Sequence, residues 1–162
     1  MTGDALGEGF DRLAERWLGA WVGRGSFADS CTPDVHYEDP VARDPLHGVE
    51  ALLRQAQELW RAFPDVRVEG AATPLLGHGQ GCIPWRAQGT HRGTLKGLPA
   101  SGRFVVLHGV HYVELSDGLV RRARGFFDLY EAGVQTGLLP GRGGLGERAL
   151  LLVRGFGLRP RG

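Results

Sequence analysis

What this 162-residue chain lacks narrows its function before any motif is considered. No run approaches the ~20 apolar residues of a membrane-spanning helix. The opening stretch, Met1 to Asp11, is acidic and polar, unlike a signal peptide. Cysteine is scarce: Cys31 and Cys82 are too few for a disulfide framework and lack metal-ligand spacing, so reduced thiols in a cytoplasmic protein are expected. Neither charge sign dominates, with 19 Lys plus Arg against 18 Asp plus Glu. A phosphate-binding face needs a local excess of cations. Only the C-terminus has one (Arg142, Arg148, Arg154, Arg159, Arg161), and a solvated tail is the simpler expectation there. Nucleic acid and membrane are therefore not expected as partners. There is no Gly-x-Ser-x-Gly, and the glycines from 141 to 146 follow no strand, which argues against an elbow nucleophile and a phosphate loop. No two histidines stand at i, i+4, and no histidine and carboxylate cluster reads as a metal site.

What is present is an ordinary globular composition, 42% hydrophobic and 23% charged, rich in glycine and tryptophan. Phe10, Leu13, Ala14, Trp17, Leu18 and Trp21 recur at three and four, which predicts a helix ended by Gly23 and Gly25. A turn around Ser26–Ser30 precedes a strand, Val35–Asp39, stopped by Pro40. Val49, Leu52, Leu53, Ala56, Leu59, Trp60 and Phe63 predict a second helix, closed by Pro64. Antiparallel strands follow at Asp65–Leu75, Cys82–Arg92, Phe104–Leu115 and Leu119–Tyr130, the last two joined by a hairpin turn at Ser116-Asp117-Gly118. A short helix from about Glu131 to Leu138 ends the pattern. Helices first and a strand meander after them indicate α+β, a curved sheet with helices on one face and a concave cavity between. Residues 141–144 read as a linker, and Ala149–Val153 is an apolar run that packs back on the domain or on a partner chain.

The order and spacing of several segments resemble the SnoaL-like polyketide cyclases of the NTF2-like superfamily. They are Tyr37-Glu38-Asp39-Pro40, Gly48-Val49-Glu50, Phe63-Pro64-Asp65, Gly89-Thr90-His91-Arg92-Gly93, Gly97-Leu98-Pro99-Ala100-Ser101-Gly102-Arg103 and Phe126-Phe127-Asp128. The resemblance runs from about residue 8 to 139. It implies an NTF2-like cone, a curved antiparallel sheet with the N-terminal helices on its concave face, over residues 1–139, with a Gly/Arg-rich tail over 140–162. It also implies a cofactor-independent, metal-free aldol cyclase or isomerase taking a hydrophobic or aromatic carbonyl compound. Because the fold hosts many chemistries, a non-catalytic ligand-binding or dimerising module is the alternative. An apolar sheet face carrying Leu107, Val113, Leu119, Ala123 and Phe127 is expected outside, making a homodimer.

The resemblance assigns the general acid/base to Asp128, at the end of a strand whose alternate residues Arg122, Arg124 and Phe126 share its face. The same carboxylate can instead pair with Arg124 or cap the next helix. Asp39 is the second candidate, because Glu38-Asp39-Pro40-Val41 is similar to the segment supplying the base of ketosteroid isomerase. That enzyme's oxyanion-hole positions fall on Trp17 and Val110 here, so its oxyanion hole is absent. The acids of limonene-type epoxide hydrolases fall on Thr94 and Gly125, leaving only Arg92 of that set. His91 shares strand parity with Trp85, Ala87 and Gly89, and is either a third catalytic group or a satisfied core histidine. His91, Tyr112 or backbone N–H groups would hold an enolate oxygen. Only one of His108 and His111 can face inward, and the isomerase analogy favours His108 with Tyr112. Trp17, Trp60, Trp85, Arg124 and Phe126 complete the expected substrate-binding set.

Overall fold

The structure, a computed structural model, describes residues 3–154. Helix α1 spans Gly3–Ala20. Its apolar stripe, continued by Trp21 in the next turn, is wholly buried. Gly23 and Gly25 take φ of 74° and 115°, which side chains resist, and the chain reverses there. A 3-10 turn at Phe27–Asp29, capped by the Ser26 hydroxyl, leads into β1 (Cys31–Glu38). The two-residue strand β2 (Leu46–His47) precedes α2 (Val49–Ala62). The strands β3 (Arg67–Gly70), β4 (Leu75–Gly77), β5 (Gln80–Thr90), β6 (Phe104–Ser116) and β7 (Leu119–Phe127) follow. Helices α3 (Leu129–Thr136) and α4 (Leu145–Val153) end the described chain.

These strands form one curved sheet in the order β2-β1-β7-β6-β5-β3, with β4 also on β5. Residues 117 and 118 make the β6–β7 turn with φ of 50° and 78°, a mirror-image turn that suits strand twist. Every pairing is antiparallel but one: β1 runs parallel to β7, a pairing that needs the long crossover formed by everything between them. That pair departs from the all-antiparallel expectation. β1 also starts four residues earlier than its pattern indicates, and the expected strand at 65–75 is divided into β3 and β4.

Along β5 and β6 the inward residues are Ile83, Trp85, Ala87 and Val105, Leu107, Gly109, His111, Val113. On β7 they are Val120, Ala123, Gly125 and Phe127, brought to one face by a bulge near Arg121. The stripe of α1 packs on this face, and Leu52 and Ala56 of α2 join the same core. The homodimer surface expected from the sequence is therefore reversed. Leu107, Val113, Ala123 and Phe127 belong to the core, and the outer face carries Pro84, Val106, His108, Val110, Tyr112 and Phe126. The parity was misleading because the inner strip of β6 includes Gly109 and His111 and looks polar. A Cβ at Gly109 would collide with the Trp85 ring, so the indole supplies the apolar bulk missing from that position.

Candidate functional site

Side chains from α1, β1, β5 and β6 meet inside the sheet. His111, at the middle of β6, is enclosed, and the Trp17 Nε1–H donates to its Nδ1 at 3.0 Å. An acceptor Nδ1 places the proton of the neutral ring on Nε2, which lies 3.4 Å from the Tyr37 hydroxyl oxygen. Trp21 stacks on the imidazole (6.0 Å between centroids, 22°), and Trp85 tilts over it (5.6 Å, 36°). Burial pushes the His111 pKa down to about 3, so the ring is neutral at ordinary pH. The Tyr37 phenol is held well above its usual value, first by burial and then by the neighbouring Asp39 carboxylate.

Asp39 completes the group at the end of β1. Its Oδ1 accepts the backbone N–H of Val41 and of Ala42, both at 2.7 Å. Gly125 on β7 makes the approach possible. A Cβ there would lie 2.9 Å from the Tyr37 hydroxyl, 3.2 Å from the Asp39 Cβ and 3.4 Å from His111 Cδ2. Asp39 and Gly125 also line a cavity of about 260 Å³ with the 40–45 loop, Glu38, Arg124 and Phe126. At its rim Glu38 is held below the usual carboxylate range by the His36 hydrogen bond and by Arg122 and Arg124, against some desolvation. The Arg124 guanidinium lies over the Phe126 ring at 5.5 Å.

A broader cleft of about 780 Å³ separates α1 from the β3–β4 edge, lined by Asp11, Glu15, Arg24, Glu69 and Thr73 among others. It touches none of the residues expected to form the site.

Of those residues, Asp39, Arg124 and Phe126 line the smaller cavity, and Trp17 stands behind it on His111. Asp128 is on neither cavity. It is the N-cap of α3, accepting from the Glu131 N–H at 2.9 Å, and its other oxygen lies 3.5 Å from Arg142. It shares a face with Arg122, Arg124 and Phe126 as the alternation requires, but that face is the outer one. His108 and Tyr112 also face outward, and His111 takes the inward place that the isomerase analogy gives to His108. His91 is buried elsewhere: it stacks on Phe63 (5.1 Å), and its Nδ1 pairs with the Ser101 hydroxyl and N–H. Trp60 ties α2 to α1 through a bond to the Trp21 carbonyl at 2.7 Å, and Trp85 is core. Trp21 Nε1, Trp85 Nε1 and His91 Nε2 are buried without a partner among the described residues. Tyr37 was not expected at the site. Its i, i+2 relation to Asp39 on one strand is the sequence signal that places both on one face.

The sequence profile of the SnoaL-like polyketide cyclase family matches residues 12–136. The chain belongs to this family. Solved structures agree on the fold. A candidate SnoaL-like polyketide cyclase from Jannaschia sp. CCS1 superposes with a TM-score of 0.71 at 20% identity, covering 82% of this chain and 94% of that one. TsrD from Streptomyces laurentii gives 0.71 at 18%, covering 82% and 97%. A protein of ketosteroid isomerase-like fold from Catenulispora acidiphila, solved with trimethylamine, gives 0.65 at 14%, covering 77% and 92%. This SnoaL-like chain is thus an α+β domain of the NTF2-like kind. No curated protein matches its sequence. No helix among the described residues is long and apolar enough to cross a membrane.

Proposed function

We propose that this SnoaL-like chain is a cofactor-independent aldol cyclase or isomerase of a carbonyl compound, with Asp39 as its general acid/base. The observation that carries the reading is the Asp39 carboxylate on the cavity wall, its Oδ1 held by two N–H groups and its Oδ2 free of both. Asp39 takes the proton from a carbon flanked by two carbonyls. The enolate carbon attacks a second carbonyl of the same molecule, forming the C–C bond, and the resulting alkoxide takes the proton back from Asp39. Nothing is consumed but the substrate. A carbon acid of that kind needs modest help, and positioned acid–base groups typically contribute about 10²–10⁴-fold. The enolate oxygen needs a donor, and Arg124, which lines the cavity with Asp39, is the candidate.

A ligand-binding module is the second reading, favoured by Trp17 and Val110 standing where the isomerase resemblance puts its oxyanion-hole groups. A thermal-shift screen of β-dicarbonyl esters, with every hit taken to a turnover assay, separates the two. Conversion of a stabilising compound supports the enzyme, and stabilisation without any conversion supports the module.

A homodimer is proposed through the outer sheet face, where Pro84, Val110 and Phe126 form an apolar row beside Tyr112 and Arg124. Sedimentation at micromolar concentration tests it, and a monomer contradicts it. A cytoplasmic location fits the two free cysteines, with burial pushing the Cys31 thiol up to about 12 and keeping it unreactive.

A further inference from the structure

We propose that Tyr37 positions the Asp39 carboxylate, and that Trp17, acting through His111, fixes the direction of the hydrogen bonds behind it. Its bearing on catalysis rests on the reading of Asp39 as the acid/base; the hydrogen bonds do not.

An indole N–H can only donate and a carboxylate only accept. Trp17 donates to His111 Nδ1 at 3.0 Å, so the neutral ring carries its proton on Nε2. That N–H faces the Tyr37 oxygen at 3.4 Å, the longer of the two contacts. The hydroxyl, accepting from histidine, keeps its own proton free, and the acceptor it converges with beside Gly125 is Asp39. A chain with a donor-only residue at one end and an acceptor-only residue at the other has one internally consistent arrangement. His111 serves as a spacer of fixed tautomer, enclosed between Trp21 and Trp85 where an imidazolium would be poorly solvated.

The consequence falls on Asp39. Its Oδ1 is held by the N–H groups of Val41 and Ala42, and the Tyr37 hydroxyl, which converges with Asp39 beside Gly125, is placed to orient the carboxylate from the interior as well. Around the cavity, Glu38, Arg43 and Asp44 of β1 and its loop and Arg124 of β7 supply the other charges. Gly125 is part of the device, since a side chain there would occupy the point where Tyr37, Asp39 and His111 converge. Tyr37 and His111 are positioning residues that act through Asp39.

The test is NMR on the full chain with ¹⁵N-labelled histidine and ¹³C-labelled aspartate, which needs no substrate. In the wild type, His111 is expected with a protonated Nε2 and a bare Nδ1, unchanged from about pH 5 to 9. An Nδ1–H tautomer, or an imidazolium appearing within that range, overturns the proposal. Trp17→Phe is expected to release the single tautomer into a mixture; an unchanged His111 spectrum in a folded Trp17→Phe protein removes Trp17 from the chain. At pH 7 the Asp39 carboxyl resonance is expected to move in Tyr37→Phe and to stay in Tyr112→Phe, whose hydroxyl is on the outer face. Movement in neither variant, or equally in both, overturns the role of Tyr37. Because none of these signals depends on turnover, an inactive Asp39 and a misread chain give different results.

Discussion

At the residue scale, His111 shows how burial decides a histidine's behaviour. Its pKa falls from an ordinary 6.5 to about 3 because desolvation disfavours the imidazolium, so the unfolded chain binds one more proton between those values. His111 therefore contributes its full stability above about pH 6.5 and loses it progressively as pH falls toward 3. The expected slope is about 1.4 kcal/mol per pH unit within that window. Urea midpoints from pH 7 to 4 should fall more steeply for the wild type than for His111→Asn, and parallel curves would contradict the assignment. The sequence restricts the choice to His108 or His111 by alternation, but composition could not choose between them. The inner strip of β6 obtains its apolar character from Trp85, a residue of the neighbouring strand, and one-strand periodicity does not see cross-strand filling.

Among elements, the two aspartates that the sequence singles out separate by what surrounds them. Asp128 satisfies an orphan N–H at the start of α3, so Asp128→Ala should cost about 1 kcal/mol of stability in urea unfolding and leave turnover intact. A turnover loss well beyond the stability loss would return Asp128 to the site. Gly125 allows β7 to pass beside the end of β1, and Gly125→Ala should destabilise by about 1–3 kcal/mol through overpacking against Tyr37 and Asp39. An unchanged urea midpoint would show that the three groups have room to withdraw. Helices α1 and α2 were legible because each buries one stripe at helical spacing. The parallel β1–β7 pair was not, since strand neighbours far apart in sequence leave no local signal, and β2 was not because two residues are too few to show an alternation. The outward direction of Asp128 was not legible either, because alternation gives which residues share a face and not which face is covered.

For the whole molecule, the order of elements and the family motifs were sufficient for the fold, and the family profile and solved structures agree with it. The boundary near residue 139 is a proposal at this scale. Helix α4 buries none of its residues, with Leu145 and Val153 more than four-fifths exposed, while Tyr130 anchors the chain at the Pro140 carbonyl. Removing residues 145–162 should leave the thermal midpoint within about 3 °C, the shift that losing ~1 kcal/mol produces in a domain this size. A larger drop would make the tail part of the domain. The central claim, that Asp39 is the acid/base of a SnoaL-like carbonyl enzyme, is tested most directly on any compound the wild type converts. Turnover of that compound is measured for Asp39→Asn and Asp128→Asn side by side. The account predicts a loss of about 10²–10⁴-fold in kcat for Asp39→Asn with the substrate still bound, and near wild-type turnover for Asp128→Asn. Full activity of Asp39→Asn, with the loss appearing at Asp128→Asn instead, would contradict it.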